Sequence, residues 1–214
     1  MEKSIFSKIY MWVFVGLLIT FISSYVVSTS IAAIRLIFGS PLYWLIFLAQ
    51  IVIAIYLPVR LNKMSKTTAT ILYLLYSLLT GLTFATIFLM YEISSIIFVF
   101  LISSLVFLIF ALIGRFTNID LSKLGVILLM ALVGIIIFEI INIFIMSSAL
   151  DMTLCIIGLL VFFGYIAYDI QKIKRLDSYG MDKEKLAIIG AFELYLDFIN
   201  VFIRLLRLLG KNKD

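Results

Sequence analysis

The sequence predicts an all-helical integral membrane protein, and three observations support this class. Of the 214 residues, 64% are hydrophobic and only 14% are charged, whereas soluble proteins are about 45–50% apolar and about 25% charged. Long uncharged runs follow one another along the chain, and a helix needs roughly 20 apolar residues to cross the hydrocarbon. The runs do not alternate in polarity, which excludes the pattern of a transmembrane β-barrel.

Seven candidate spanning helices can be placed in order along the chain. They cover residues 9–34, 36–59, 67–91, 93–114, 124–138 with a continuation past Glu139 to Leu150, 152–168 and 186–203. The first run stays apolar for far longer than the core of a signal peptide, so it is predicted to be a retained helix. We find no linker or low-complexity tract, and we expect one seven-helix membrane domain over residues 1–214.

The basic residues predict a cytoplasmic N-terminus in a multi-pass protein of the cell membrane. With this orientation, 12 of the 17 basic residues face the cytoplasm: Lys3, Lys8, Arg60, Lys63, Lys66, Arg115, Lys123, Lys172, Lys174, Arg175, Lys183 and Lys185. This asymmetry follows the positive-inside rule. Seven crossings would place the last basic residues outside, against the rule, so the last helix either spans or dips in and returns. We favour a spanning helix.

The chain contains no histidine, which excludes several kinds of chemistry. A Ser-His-Asp triad, an HExxH zinc helix and an imidazole pH switch all require that residue. The one cysteine, Cys155, lies in an apolar helix and is predicted to pack there. We therefore expect neither an enzyme nor a protein with a cofactor, and any proton sensing must come from carboxyl groups.

Two aspartates interrupt the last two apolar runs. Asp169 ends one run and Asp197 lies inside the other, although a charge at the bilayer centre costs roughly 3 kcal/mol on insertion scales. On the seventh helix one face carries a polar stripe, which places this helix in the protein interior; its members are Glu193, Asp197, Asn200 and Arg204. Asp169 and Asp197 are equally distant in sequence from position 183 in the connector, so a hairpin would bring them to a similar depth.

Two carboxylates at one depth define a candidate site for protons and cations. At about 4 Å they would repel by roughly 4 kcal/mol at an effective dielectric of 20, so the pair would keep one shared proton at a pH where a lone aspartate is ionised. Loss of this proton would push the two helices apart, and the resulting dianion would offer oxygen ligands to Ca²⁺. Asp169 and Asp197 are therefore the predicted pH-sensing, cation-binding and metal-ligating residues. The alternative is that protonated aspartates only hydrogen-bond neighbouring helices.

These segments also carry a resemblance to a known family. Tyr168–Ile173 (YDIQKI) and Leu194–Phe202 (LYLDFINVF) resemble the paired signature of the Bax inhibitor family, the transmembrane Bax inhibitor motif-containing proteins. The tail Leu205–Gly210 (LLRLLG) is similar to that of bacterial members. The resemblance implies two three-helix layers around a central C-terminal helix. It also implies a pH-sensitive calcium leak in which Asp169 and Asp197 match the acidic pair of the family.

Other polar residues receive predictions of their own. Bacterial members of the family often carry an acid midway along the second helix, where this chain has Ala49 and Gln50. Four further charged or amide side chains are candidates to line the ion path: Glu139, Asn142, Glu193 and Asn200. The alternative for each of them is a structural hydrogen bond. Arg60 is a candidate latch for the acidic pair, with an ordinary positive-inside anchor as the alternative.

Rival functions remain open at this point. An intramembrane aspartyl protease also needs two acids on neighbouring helices, but the GxGD motif is absent because Leu194-Tyr195-Leu196 precedes Asp197. A proton-coupled transporter usually shows helices broken by glycine or proline. A membrane protein that only modulates partners is a further alternative. The expected partners are calcium ions, protons and the lipid bilayer; nucleic acid is not expected, and protein partners are unknown.

Overall fold

The computed structural model describes residues 4–213, so Lys3, one of the predicted cytoplasmic cations, lies outside the described residues. Its helices are α1 (Ile5–Ser28), α2 (Ile31–Phe38), α3 (Leu42–Arg60), α4 (Lys66–Met90), α5 (Ile93–Phe116), α6 (Ser122–Ile145), α7 (Ser148–Ser178) and α8 (Lys183–Leu209), with a short 3-10 helix at Leu61–Lys63. Between residues 4 and 213 the only β-structure is an isolated bridge between Tyr91 and Asn212. The predicted all-helical fold is confirmed.

Seven of these helices, all except α2, are long and apolar enough to cross a membrane. The predicted seven-span class is therefore confirmed. The last helix, α8, has 78% of its most apolar window buried, whereas the other spans have between 11% and 33%. Its predicted interior position is confirmed as well, and its length of 27 residues is sufficient for a full crossing.

The observed helix bounds differ from the predicted ones in several places. The run 9–34 was expected to form one helix, but α1 ends at Ser28 and a separate short helix, α2, follows. The hydroxyl of Ser30 accepts a hydrogen bond from Ala33 N at 3.3 Å and so starts α2; hydropathy does not detect such a break inside an uncharged run. In addition, α7 continues beyond the apolar run 152–168 to Ser178, so that Asp169 lies well within this helix.

The chain forms two compact units. The first unit contains Met1–Glu92, Tyr179–Tyr195 and Asn212–Asp214, and the second contains Ile93–Ser178 and Leu196–Lys211. Each unit therefore has three membrane-length helices and one half of α8. The three full helices are α1, α3 and α4 in the first unit and α5, α6 and α7 in the second. A single domain over 1–214 stays a prediction.

In the first unit the N-terminal half of α8 packs on α1 and α4. The ring of Phe192 lies edge-on to the rings of Tyr73 and Tyr76, with centroid distances of 6.1 and 5.1 Å. The hydroxyl of Tyr195 lies 2.6 Å from that of Thr20 on α1. Burial of these rings and pairing of their hydroxyl groups hold the three helices together.

The start of α8 is fixed by its connector. Gly180 adopts a φ of 75°, a left-handed conformation that favours glycine. Asp182 then accepts hydrogen bonds from the backbone N–H groups of Glu184 and Lys185 at 3.0 and 2.8 Å, which caps the helix. The Glu184 carboxylate in turn pairs with Lys8 of α1 and with Lys66 of α4.

In the second unit small residues allow close packing of helices. Gly114 of α5 lies against the backbone of Ala167 on α7. Gly125 of α6 lies against the ring of Tyr168, also on α7. Small residues at such crossings let membrane helices approach closely. These contacts fix the stretch of α7 on which Asp169 stands.

Candidate functional site

Both predicted aspartates lie inside the second unit. Asp169 on α7 is 6% exposed and Asp197 on α8 is 4% exposed. Ionisable side chains buried in spanning helices are rare because their charge is costly in a low-dielectric environment. Their burial is therefore the strongest reason to regard this region as a functional site.

Tyr165 connects the two acids spatially. It precedes Asp169 by one turn of α7, so the two side chains lie on the same face of that helix. The carboxylates of both Asp169 and Asp197 act electrostatically on the Tyr165 hydroxyl. Both acids are thus near one tyrosine, and their predicted similar depth in the membrane stays a prediction.

The cation nearest to Asp169 is on the same helix. Lys172 Nζ lies 3.9 Å from Asp169 Oδ1, and about a third of its side chain is exposed. The charge of Lys172 offsets that of Asp169 towards the end of α7. Asp169 therefore has a partly exposed cation as a near neighbour, and a proton shared with Asp197 stays a prediction.

The aspartates alone make a small set of metal ligands. Within residues 4–213 no group of three or more histidine, cysteine, aspartate or glutamate side chains is arranged to hold a metal ion. Two carboxylates supply at most about four oxygens, whereas Ca²⁺ takes about six to eight. Backbone carbonyls and water would have to complete the shell of a bound Ca²⁺, and the metal-ligating role of the two aspartates stays a prediction.

The remaining predicted site residues have diverse surroundings. Asn200 Nδ2 donates to the Leu196 carbonyl of its own helix at 2.9 Å. Asn142 Oδ1 accepts from Ser147 N at 3.0 Å and so ties the last turn of α6 to the connection before α7. Glu193 is half-buried on α8, in the first unit. Both asparagines thus make structural hydrogen bonds, which was the alternative to a pore-lining role. The pore-lining role of Asn142, Glu193 and Asn200 stays a prediction.

Two polar residues of the first unit were also considered as parts of the site. Arg60 is exposed at the C-terminal end of α3, and its role as a latch stays a prediction. Gln50, near the place of the acid found in bacterial relatives, donates from Nε2 to Thr80 Oγ1 at 3.1 Å. An amide in a hydrogen bond to a hydroxyl is neutral, so this position brings no charge into the first unit.

The sequence analysis missed an ion pair inside the second unit. Arg204 was placed on the interior polar stripe of α8 as well as among the cations near the end of this helix, and it is 7% exposed, as the interior position predicts. Its Nη2 lies 3.1 Å from Glu139 Oε1 on α6, and its Nη1 donates to the Leu154 carbonyl on α7 at 3.1 Å. The rule that an arginine in an apolar run needs an acidic partner indicates that Arg204 is paired, but it does not indicate that the partner is Glu139.

Together, the fold and the buried charges define a multi-pass membrane protein with ionisable groups inside its spanning helices. Residues 2–214 match the family model described as "Inhibitor of apoptosis-promoting Bax1". The chain therefore belongs to the Bax inhibitor family, as its signature segments predicted.

The similar proteins are bacterial and of nearly the same length. The inner membrane protein YbhL of Escherichia coli K12 is 37% identical over 213 residues, which cover 97% of this chain and 91% of YbhL. An uncharacterized protein of Borreliella burgdorferi is 37% identical over 218 residues, covering 100% of this chain and 94% of that protein. A Rickettsia prowazekii protein is 39% identical over 198 residues, covering 87% and 84%. These relatives and the seven spans identify a multi-pass membrane protein.

Proposed function

We propose that the protein is a pH-sensitive calcium leak channel in which Asp169 and Asp197 bind protons and govern the passage of cations. The observation that carries the proposal is the burial of both acids beside one tyrosine, Tyr165, inside one compact unit. Membership of a membrane-protein family is compatible with the proposal. The orientation with a cytoplasmic N-terminus belongs to the same proposal.

The proposed mechanism follows from the charge of the pair. With one proton shared, the two carboxyl groups hydrogen-bond to each other or to their neighbours, and α7 and α8 stay close. When this proton leaves, two negative charges face each other in a low dielectric, and their repulsion favours separation of the helices. A cation entering between the carboxylates relieves the repulsion. The leak should therefore increase as the pH rises.

Calcium flux into proteoliposomes tests this proposal. Native protein is reconstituted around an entrapped calcium dye, and the initial rate is measured from about pH 5 to about pH 8. The Asp169→Asn and Asp197→Asn variants keep the shape of each side chain but leave only one titrating acid. We expect the native rate to rise with pH, and each variant to lose most of that rise. Asp151→Asn, which alters an exposed acid paired with Arg207, is the matched control.

Two results would count against the proposal. If vesicles with native protein admit no more calcium than empty vesicles at any pH, the leak is rejected. If the pH profile of Asp197→Asn equals the native profile, the acids do not sense protons. Calcium-dependent proton movement in the same vesicles would favour the coupled transporter, and cleavage of a reconstituted membrane substrate would favour the protease.

A further inference from the structure

The guanidinium group of Arg204 occupies a built recess in the second unit. Gly158 of α7 leaves the space for it: a Cβ at this position would lie 2.6 Å from Arg204 Nε and closer still to Cζ. The ring of Phe162 lies against the other side, with its centroid 5.6 Å from Cζ. The Leu154 carbonyl and the Glu139 carboxylate each accept one of its hydrogen bonds. The arginine is thus held in one place as a fixed charge.

Four charged side chains, the buried arginine among them, lie around Cys155 beside this recess. Cys155, whose Sγ donates to the Arg204 carbonyl at 3.4 Å, lies within electrostatic range of all of them: Arg204, Arg207, Asp151 and Glu139. Asp151 pairs with Arg207 at 3.3 Å, and both of these side chains are about half exposed. Arg204 differs because its side chain is 8% exposed, while that of Glu139 is 40% exposed. Glu139 is therefore the acid that balances the buried arginine.

Arg204 also lies close to the acidic pair. It follows Asp197 by seven residues on α8, which is nearly two full turns, so both residues lie on one face at a separation of roughly 10 Å along the axis. At this distance an unbalanced positive charge in protein repels a cation at the Asp197 position. The repulsion corresponds to about a tenfold loss in the affinity of the site for each charge that the cation carries. Pairing with Glu139 cancels most of this repulsion.

We propose that Glu139 determines the charge selectivity of the leak by neutralising Arg204, so that cations rather than anions pass the C-terminal half of α8. This inference rests on the proposed leak function. Glu139 acts through Arg204: it balances the charge of the guanidinium group and holds it in position, without itself binding the passing ion. Its removal would leave a fixed cation near the acidic pair, which would weaken both the attraction of the site for calcium and its exclusion of chloride.

Four proteins reconstituted in vesicles test the inference: native, Glu139→Gln, Asp151→Asn and the double variant Glu139→Gln/Arg204→Gln. Calcium influx is measured with an entrapped dye, and the ratio of cation to chloride permeation is measured from the potential across a salt gradient. We expect Glu139→Gln to lower calcium influx at least about tenfold and to shift the ratio towards chloride. Asp151→Asn should show the native values, because its partner Arg207 is exposed to water.

The double variant separates charge balance from structural damage. It carries no unbalanced arginine, so we expect it to recover most of the calcium influx and of the cation preference. If the Glu139→Gln variant leaks as the native protein does, or if the double variant stays as low as the single one, the inference is overturned. If Glu139→Gln cannot be purified folded, the double variant must still fold and leak, and its failure to do so overturns the inference too. Absence of any leak through native protein rejects the proposed function itself and this inference with it.

Discussion

Gly114 on α5 lies directly against the backbone of Ala167 on α7. A Cβ at Gly114 would be 2.7 Å from the Cα of Ala167 and closer still to its carbonyl oxygen. The obstacle is main chain, which cannot swing aside as a flexible side chain can. The spacing of α5 and α7, and with it the position of Asp169 two residues further on, depends on the absence of a side chain at residue 114.

We therefore predict that Gly114→Ala destabilises the protein by about 2 kcal/mol, because the added methyl group overpacks the helix crossing. Thermal unfolding in detergent, followed by circular dichroism, measures the effect. Gly134→Ala is the matched control, since no atom outside its own helix lies within 4 Å of a Cβ at that site. Its expected effect is neutral or slightly stabilising. Equal unfolding temperatures for the two variants would contradict the crossing described above.

The hydroxyl group of Tyr195 is expected to contribute to stability through its hydrogen bond to Thr20. Tyr195 is fully buried, so Tyr195→Phe removes a buried hydrogen bond and leaves the Thr20 hydroxyl with backbone partners at Gly16 and Ser77. We predict a loss of about 1 kcal/mol, measured by the same unfolding assay. Tyr179→Phe, at a ring that is 82% exposed, should change nothing, and a comparable loss there would refute the explanation.

The surroundings of Asp120 predict that the order of the loop between α5 and α6 depends on pH. Hydrogen bonds from the Ser122 hydroxyl and backbone N–H, and the charge of Arg175, hold the pKa of this exposed carboxyl below its ordinary value of 3.8. Because the pKa is lower in the folded state, the stabilisation is present above that ordinary value and is lost as the pH falls through the lowered pKa. The loop should therefore become mobile only below about pH 4.

A spin label on Asn118→Cys, which is exposed in the same loop, measures this change by electron paramagnetic resonance. Adding Asp120→Asn should make the label more mobile throughout the pH range and remove the pH dependence. The hydrogen bonds of Gln171 to Leu121 N and to the Ile119 carbonyl, both 2.8 Å long, do not titrate and should keep part of the order. A mobility change centred near neutral pH would assign the effect to another group.

The orientation in the membrane can be tested with single introduced cysteines. Positions 29 and 63 are exposed between consecutive helices, whereas the native Cys155 is 2% exposed and should react slowly. With a cytoplasmic N-terminus, a membrane-impermeant maleimide should label Thr29→Cys in intact cells. It should label Lys63→Cys only after the cells are opened. The reverse pattern would invert the predicted topology.

Sequence reasoning found the spans because the thickness of a bilayer imposes a minimum apolar length. It found Asp169 and Asp197 because charges inside apolar runs need an explanation. It missed the break after Ser28, where a serine caps the start of α2 within an uncharged run. It also missed the pair of Glu139 with Arg204, because these residues are 65 positions apart and only the packing of α6, α7 and α8 brings them together.

The partners of Arg204 precede it in the chain, and this order bears on biogenesis. Glu139, Leu154, Gly158 and Phe162 are all synthesised before Arg204, so its recess can exist when the last helix leaves the ribosome. The guanidinium group then moves from water to a waiting carboxylate and carbonyl instead of facing lipid alone. Insertion of the final segment thereby becomes contingent on prior assembly of α6 with α7.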